Sequence, residues 1–77
     1  MKDIKVLGSG CANCKTTTAL IEQVARDKGV AVSIDKIQDM QAIIAYGVLA
    51  TPGVVVDGKV VHAGGVPQRD RIEAWLA

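Results

Sequence analysis

Phenylalanine is absent from this 77-residue chain, and tyrosine and tryptophan occur once each. Any core must be assembled from small aliphatic side chains, and Val, Ile and Ala are plentiful enough to argue against a disordered composition. An excess of one charge is missing too: nine Lys and Arg against eight Asp and Glu leave a formal +1, with no basic run. Nothing in that balance favours nucleic acid or an anionic membrane as a partner. The longest mainly apolar stretch, residues 42–56, is interrupted by Gly47, Thr51, Pro52 and Gly53 and is too short to span a bilayer. No repeat, linker or low-complexity segment divides the chain. A single domain over residues 1–77 is expected, small enough to bury only about 60–65% of its unfolded surface. Met1-Lys2-Asp3 leads straight into a strand-like pattern, leaving no room for a signal peptide, so the expected location is cytoplasmic.

Cysteine is scarce, and both copies lie in one stretch, Gly8-Ser9-Gly10-Cys11-Ala12-Asn13-Cys14. Residues 3–7 before it alternate and include β-branched side chains, which predicts a strand. Residues 12–28 carry Leu20, Ile21, Val24 and Ala25 on one helical face, with Glu22, Gln23, Arg26 and Asp27 largely on the other. The pair therefore sits where a strand hands over to a helix. A disulfide closing so short a loop contributes roughly 2 kcal/mol in the loop-entropy model. A persistent structural bridge would also be unusual in the cytoplasm. A bridge that opens and closes suits the position better.

The thiolate is the nucleophile in disulfide exchange, and a helix N-terminus favours an anion through its unpaired N–H groups and dipole. Lys15 can add to that field, screened by solvent. Cys11, at the loop end, is the expected exposed nucleophile, and Cys14, one turn in, the expected resolving cysteine. Gly8 and Gly10 allow a partner backbone to come close. Other readings of a C-x-x-C pair stand beside this one. It can be half of a zinc site, or a soft-metal carrier holding Cu(I) or Zn(II) through two thiolates. Such carriers usually place a Met before the loop, where this chain is Gly-rich. A third reading is a non-catalytic binding module. His62, the only histidine, is expected to be a solvated strand residue rather than a metal ligand, and Tyr46 and Trp75 to be packing residues.

Gly29 should end the first helix. A second strand is expected over residues 30–34, which makes a βαβ unit with parallel strands and a right-handed crossover. A second helix is expected over residues 37–46, with Met40, Ile43, Ile44 and Ile37 towards the core and Gly47 stopping it. Residues 53–56 and 59–63 flank Asp57-Gly58, a strong hairpin signal that implies a type I′ turn. Gly64-Gly65 breaks the fourth strand. Pro67 stands where a last helix can start, and that helix should bury Ile72, Trp75 and Leu76. The order βαβαββα predicts an α/β fold with a four-stranded mixed sheet, strand order 2-1-3-4, and helices on both faces.

With Cys11-Ala12-Asn13-Cys14 after the first strand, Tyr46-Gly47-Val48 leading to Thr51-Pro52, and Val56-Asp57-Gly58-Lys59, the chain resembles the thioredoxin superfamily. More narrowly, it resembles minimal thioredoxin- or glutaredoxin-like small redox-active disulfide proteins. The resemblance covers nearly the whole chain. It implies a thiol–disulfide oxidoreductase or electron carrier that reduces client protein disulfides and needs no cofactor beyond the Cys11–Cys14 pair. It also implies a cis Thr51–Pro52 bond facing the disulfide, with Gly10, Ala12, Asn13, Thr51 and Pro52 contacting the substrate chain. The match departs from a W-C-G-P-C site, since no proline separates the cysteines. Lys5 and Val6 stand in the first strand, with no match for the buried acid of thioredoxins. No Lys shortly precedes Cys11, and Val66-Pro67 follow the glycine pair. These features favour a thioredoxin-reductase-like electron donor over glutathione.

Overall fold

The computed structural model describes residues 1–8 and 10–77; Ser9 lies outside the described residues. The described residues form β1 (Lys2–Leu7), α1 (Ala12–Lys28), β2 (Val32–Ile37), α2 (Met40–Ala45), β3 (Gly53–Val56), β4 (Lys59–Ala63) and α3 (Arg69–Trp75). The strands make one sheet in the order β2-β1-β3-β4. β1 runs parallel to β2 and antiparallel to β3, and β3 is antiparallel to β4. This is the architecture and strand order expected from the pattern of elements. Asp57 and Gly58 both have positive φ, 50° and 84°, as the type I′ hairpin requires.

Alternation along the central strands divides the core between the two faces of the sheet. Ile4 and Val6 of β1 and Val54 and Val56 of β3 pack with Ile21, Val24 and Ala25 of α1 and with Ile72 and Leu76 at the C-terminal end. Leu7 and Val55 point the other way, onto Ile43 of α2 and onto Val48. Helices thus cover both faces, α1 and α3 on one and α2 on the other. Aliphatic side chains fill both clusters, as the lack of phenylalanine demands.

The cysteine loop sits at the start of α1. Cys11 is the N-cap residue, with extended backbone (φ −69°, ψ 163°), and its sulfur accepts from the Cys14 N–H. Thr16, Thr17 and Thr18 would ordinarily weaken a first turn, because β-branched side chains lose rotamer freedom there. Their hydroxyls donate back to the carbonyls of Ala12, Asn13 and Cys14 at 3.0, 2.8 and 3.1 Å. That pairing lets Thr17 and Thr18 be buried without an orphaned polar atom.

Several boundaries depart from expectation. β2 occupies Val32–Ile37 instead of residues 30–34. Its start is delayed because the Val30 N–H still closes the end of α1, donating to the Ala25 carbonyl at 2.9 Å beyond a left-handed Gly29. Its end is extended because Leu7 pairs with Ile37 and the Gly8 N–H donates to the Ile37 carbonyl at 2.9 Å. Ile37 therefore belongs to the strand, and α2 is only Met40–Ala45. Asp39 sets its start, since the carboxylate accepts from the Gln41 N–H at 3.1 Å. Over so short a helix only Ile43 is buried, while Met40 and Ile44 are 57% and 56% exposed and do not join the core as expected. α3 starts at Arg69, two residues beyond Pro67, and Trp75 is half-buried while Ile72 and Leu76 are fully packed.

Candidate active site

Cys11 and Cys14 form a disulfide with Cα atoms 5.1 Å apart. The two sulfurs sit in different surroundings. Cys11 is exposed at the helix N-cap, and its Sγ accepts the Cys14 backbone N–H at 3.2 Å. Cys14 is only 6% exposed. The Thr18 hydroxyl, one turn further on, donates to its carbonyl. A backbone N–H directed at the Cys11 sulfur, added to the dipole of a 17-residue helix, favours negative charge on that atom.

Gly8 is where the end of β1 meets this pair. A Cβ built on Gly8 would overlap Cys14 Sγ and stand 3.7 Å from the Thr51 Cβ. Only a residue without a side chain lets the strand end pass so close beneath the sulfur. Gly8 and Cys14, from the two ends of the cysteine loop, are thus joined by Thr51, which is distant in the chain. The Thr51–Pro52 peptide bond is cis, with Thr51 exposed and Pro52 buried. Gly10, Ala12 and Asn13 are exposed around Cys11. The structure thus brings Thr51 to the cysteine pair, while Gly10, Ala12 and Asn13 adjoin it along the chain.

A cavity of about 60 Å³ adjoins Cys14, lined among others by Val6, Thr18, Lys15, Lys36 and Gln38. Its charged lining residues are both lysines. Val6 of β1 faces it, whereas Lys5 takes no part in the lining. The Lys5 ammonium instead bonds the Asp3 carboxylate at 2.9 Å, and that hydrogen bond raises its pKa above the ordinary lysine value. Lys36 and Gln38 are the site residues that sequence reasoning misses. The signal is the alternation Val32, Ile34, Lys36, which places Lys36 on the α1 face once β2 is carried to Ile37. His62 is not simply solvated. It is half-buried, with its ring nitrogens near the Gly65 carbonyl at 2.9 Å and Arg71 at 3.4 Å. Among the described residues no group of three or more His, Cys, Asp and Glu side chains is placed to hold a metal ion.

The family profile described as the thioredoxin domain matches residues 2–77. A protein named thioredoxin from Methanothermobacter thermautotrophicus is 31% identical over 77 residues, covering all of both chains. Another protein named thioredoxin, from Methanocaldococcus jannaschii, is 30% identical over 73 residues, 95% of this chain and 84% of that one. The oxidised crystal structure of mitochondrial thioredoxin 3 from Saccharomyces cerevisiae superposes with a TM-score of 0.67 at 17% identity, covering 97% of this chain and 76% of that one, a likeness of fold. With its C-x-x-C disulfide at the strand–helix junction, the chain belongs to the thioredoxin family and is a thiol–disulfide oxidoreductase.

Proposed function

We propose that the chain reduces client protein disulfides, with Cys11 as nucleophile and Cys14 as resolving cysteine. The observation that carries the assignment is the asymmetry of the pair: an exposed Cys11 whose sulfur accepts a helix-terminal N–H, and a Cys14 that is only 6% exposed. In the reduced protein, the Cys11 thiolate attacks one client sulfur, the client S–S bond breaks, and the other client sulfur leaves as a thiolate. Cys14 loses its proton and attacks Cys11 Sγ. The mixed disulfide breaks, the second client thiolate leaves, and Cys11–Cys14 closes. Two electrons pass from protein to client, and a dithiol donor restores the reduced pair.

Client contact falls to the groups around the pair. In this reading the Thr51 backbone pairs with the client chain as a short β-addition beside Pro52, and Gly10, Ala12 and Asn13 form the other side of the contact. The exposure of Thr51, Gly10, Ala12 and Asn13 supports it. Without a Lys shortly before Cys11, a thioredoxin-reductase-like protein is the proposed electron donor in place of glutathione. No cofactor beyond the disulfide is required, and neither nucleic acid nor a membrane is a proposed partner. No helix among the described residues is long and apolar enough to cross a membrane. The cytoplasm is the proposed location, since it keeps such a pair in exchange with reductants.

Turnover of a disulfide substrate with a dithiol donor, compared between wild type, Cys11→Ser and Cys14→Ser, tests the function. Multiple turnover in wild type alone is expected. Tight Cu(I) or Zn(II) binding by the reduced protein without turnover would overturn it in favour of a metal carrier.

A further inference from the structure

The turn after β4 presses on the Thr51–Pro52 segment. Its Gly64 N–H donates to the Pro52 carbonyl at 2.9 Å, and a Cβ on Gly64 would stand 3.2 Å from the Ala50 Cβ. Gly64 and Gly65 both have positive φ, 84° and 71°. Two successive glycines permit the close approach but leave the turn with the widest backbone freedom of any residue type. A hydrogen bond from outside the turn can restrict that freedom, and His62 supplies one.

His62 Nε2 lies 2.9 Å from the Gly65 carbonyl oxygen. A carbonyl only accepts, so Nε2 carries the proton in this arrangement. Nδ1 is then an acceptor, and it faces Arg71 Nη1 at 3.4 Å. Arg71 is held in turn, with Nη2 donating to the Val61 carbonyl at 3.1 Å and the guanidinium 5.9 Å from the centre of the Trp75 ring. A guanidinium can donate to Nδ1 but cannot accept, so it disfavours the opposite tautomer. The contacts run from α3 through Arg71 and His62 to the glycine turn and on to the Pro52 carbonyl.

We infer that His62, fixed as its Nε2–H tautomer by Arg71, is a positioning residue that holds the Gly64–Gly65 turn against Pro52 and so sets the geometry of client docking. The inference rests on the reading of Thr51–Pro52 as the client-contacting segment. His62 touches no reacting sulfur, so its effect belongs in KM and not in kcat.

The test compares the full-length wild type, His62→Ala, His62→Gln and Arg71→Met. Imidazole nitrogen shifts, amide exchange at Gly64, and kcat and KM for a disulfide substrate are measured on each. Wild type should show a protonated Nε2 and a bare Nδ1. His62→Ala should speed Gly64 exchange and raise KM, each by about fivefold, the size of one ordinary hydrogen bond, with kcat unchanged. His62→Gln, which keeps an N–H donor, should recover most of both losses, and Arg71→Met should mix the tautomers. Proton on Nδ1 in wild type, or unchanged Gly64 exchange in His62→Ala, would overturn the inference. So would faster exchange with an unchanged KM. Absence of wild-type turnover would instead strike the proposed function itself.

Discussion

Val6 and Lys36 stand opposite each other in the parallel β1–β2 ladder, and both line the small cavity beside Cys14. A lysine on β2 thus shares a cavity with the buried Cys14. Lys36 is itself exposed, so solvent screens its field. At contact distance in water a unit charge is worth about 1 kcal/mol, roughly fivefold in an equilibrium. Lys36→Met in a Cys11→Ser background should lower the thiolate fraction of Cys14 by no more than about that factor. Thiolate absorbance against pH measures it. A larger thiolate fraction in the variant would contradict the placement.

Gly8→Ala probes the contact between strand end and sulfur. A methyl group there overlaps Cys14 Sγ, and overpacking a tight site typically costs about 1–3 kcal/mol. Denaturant unfolding of the oxidised protein should show a loss in that range. The variant should also resolve mixed disulfides more slowly, because Cys14 has to shift. Stability and resolution rate equal to wild type would show that the strand end has room to move.

Core and surface are separated by two substitutions. Ile21 is fully buried in the cluster under α1 and α3, and Ile21→Ala should cost about 2–5 kcal/mol by denaturant unfolding. Ile44, on the outer side of α2, is 56% exposed. Ile44→Ser should stay within about 0.5 kcal/mol of wild type. Comparable losses at the two sites would contradict the structure of α2.

α1 and α3 are joined by Asp27 and Arg69, 2.7 Å apart. The hydrogen bond from Arg69, with a second from Gln23, holds the Asp27 carboxyl below its ordinary value of 3.8. A carboxyl with a lowered pKa binds its proton less readily in the folded than in the unfolded chain. Its stabilisation is therefore present above 3.8 and is lost as pH falls through the lower folded value. Both side chains are solvent-exposed and the pair is screened, so the effect is small and shrinks with salt. The stability difference between wild type and Arg69→Gln should be constant near neutrality and vanish in acid. A difference that grows in acid would contradict the pairing.

Much of this fold is legible in the chain because local and global signals agree. Strand-like residues before Cys11, a helical face after it and the Asp57-Gly58 turn each have one reading, and together they fix the sheet order. The region around Ile37 and Met40 is different. Ile37, Met40, Ile43 and Ile44 repeat with helical spacing, yet Ile37 is held by the Leu7 ladder and α2 begins after Asp39. The Asp39 cap decides the start instead, because a six-residue helix buries too little for its apolar spacing to decide where it lies. At the site, the nearness of the cysteine pair to its own neighbours could be read directly. Lys36 and the Arg71–His62–Gly65 chain could not. They depend on how far β2 extends and on α3 crossing back to β4, which no local pattern records.

In the proposed exchange Cys11 attacks and Cys14 resolves. The direct measurement is the pH dependence of iodoacetamide alkylation in Cys14→Ser and Cys11→Ser, with capture of mixed disulfides in each. The Cys11 thiol, exposed and facing the helix-terminal N–H, should be the faster to alkylate near pH about 7, with Cys14 following at higher pH. Cys14→Ser should accumulate mixed disulfides through Cys11, and Cys11→Ser should trap few. Faster alkylation of Cys14 near neutrality, or client trapping through Cys14, would contradict the account.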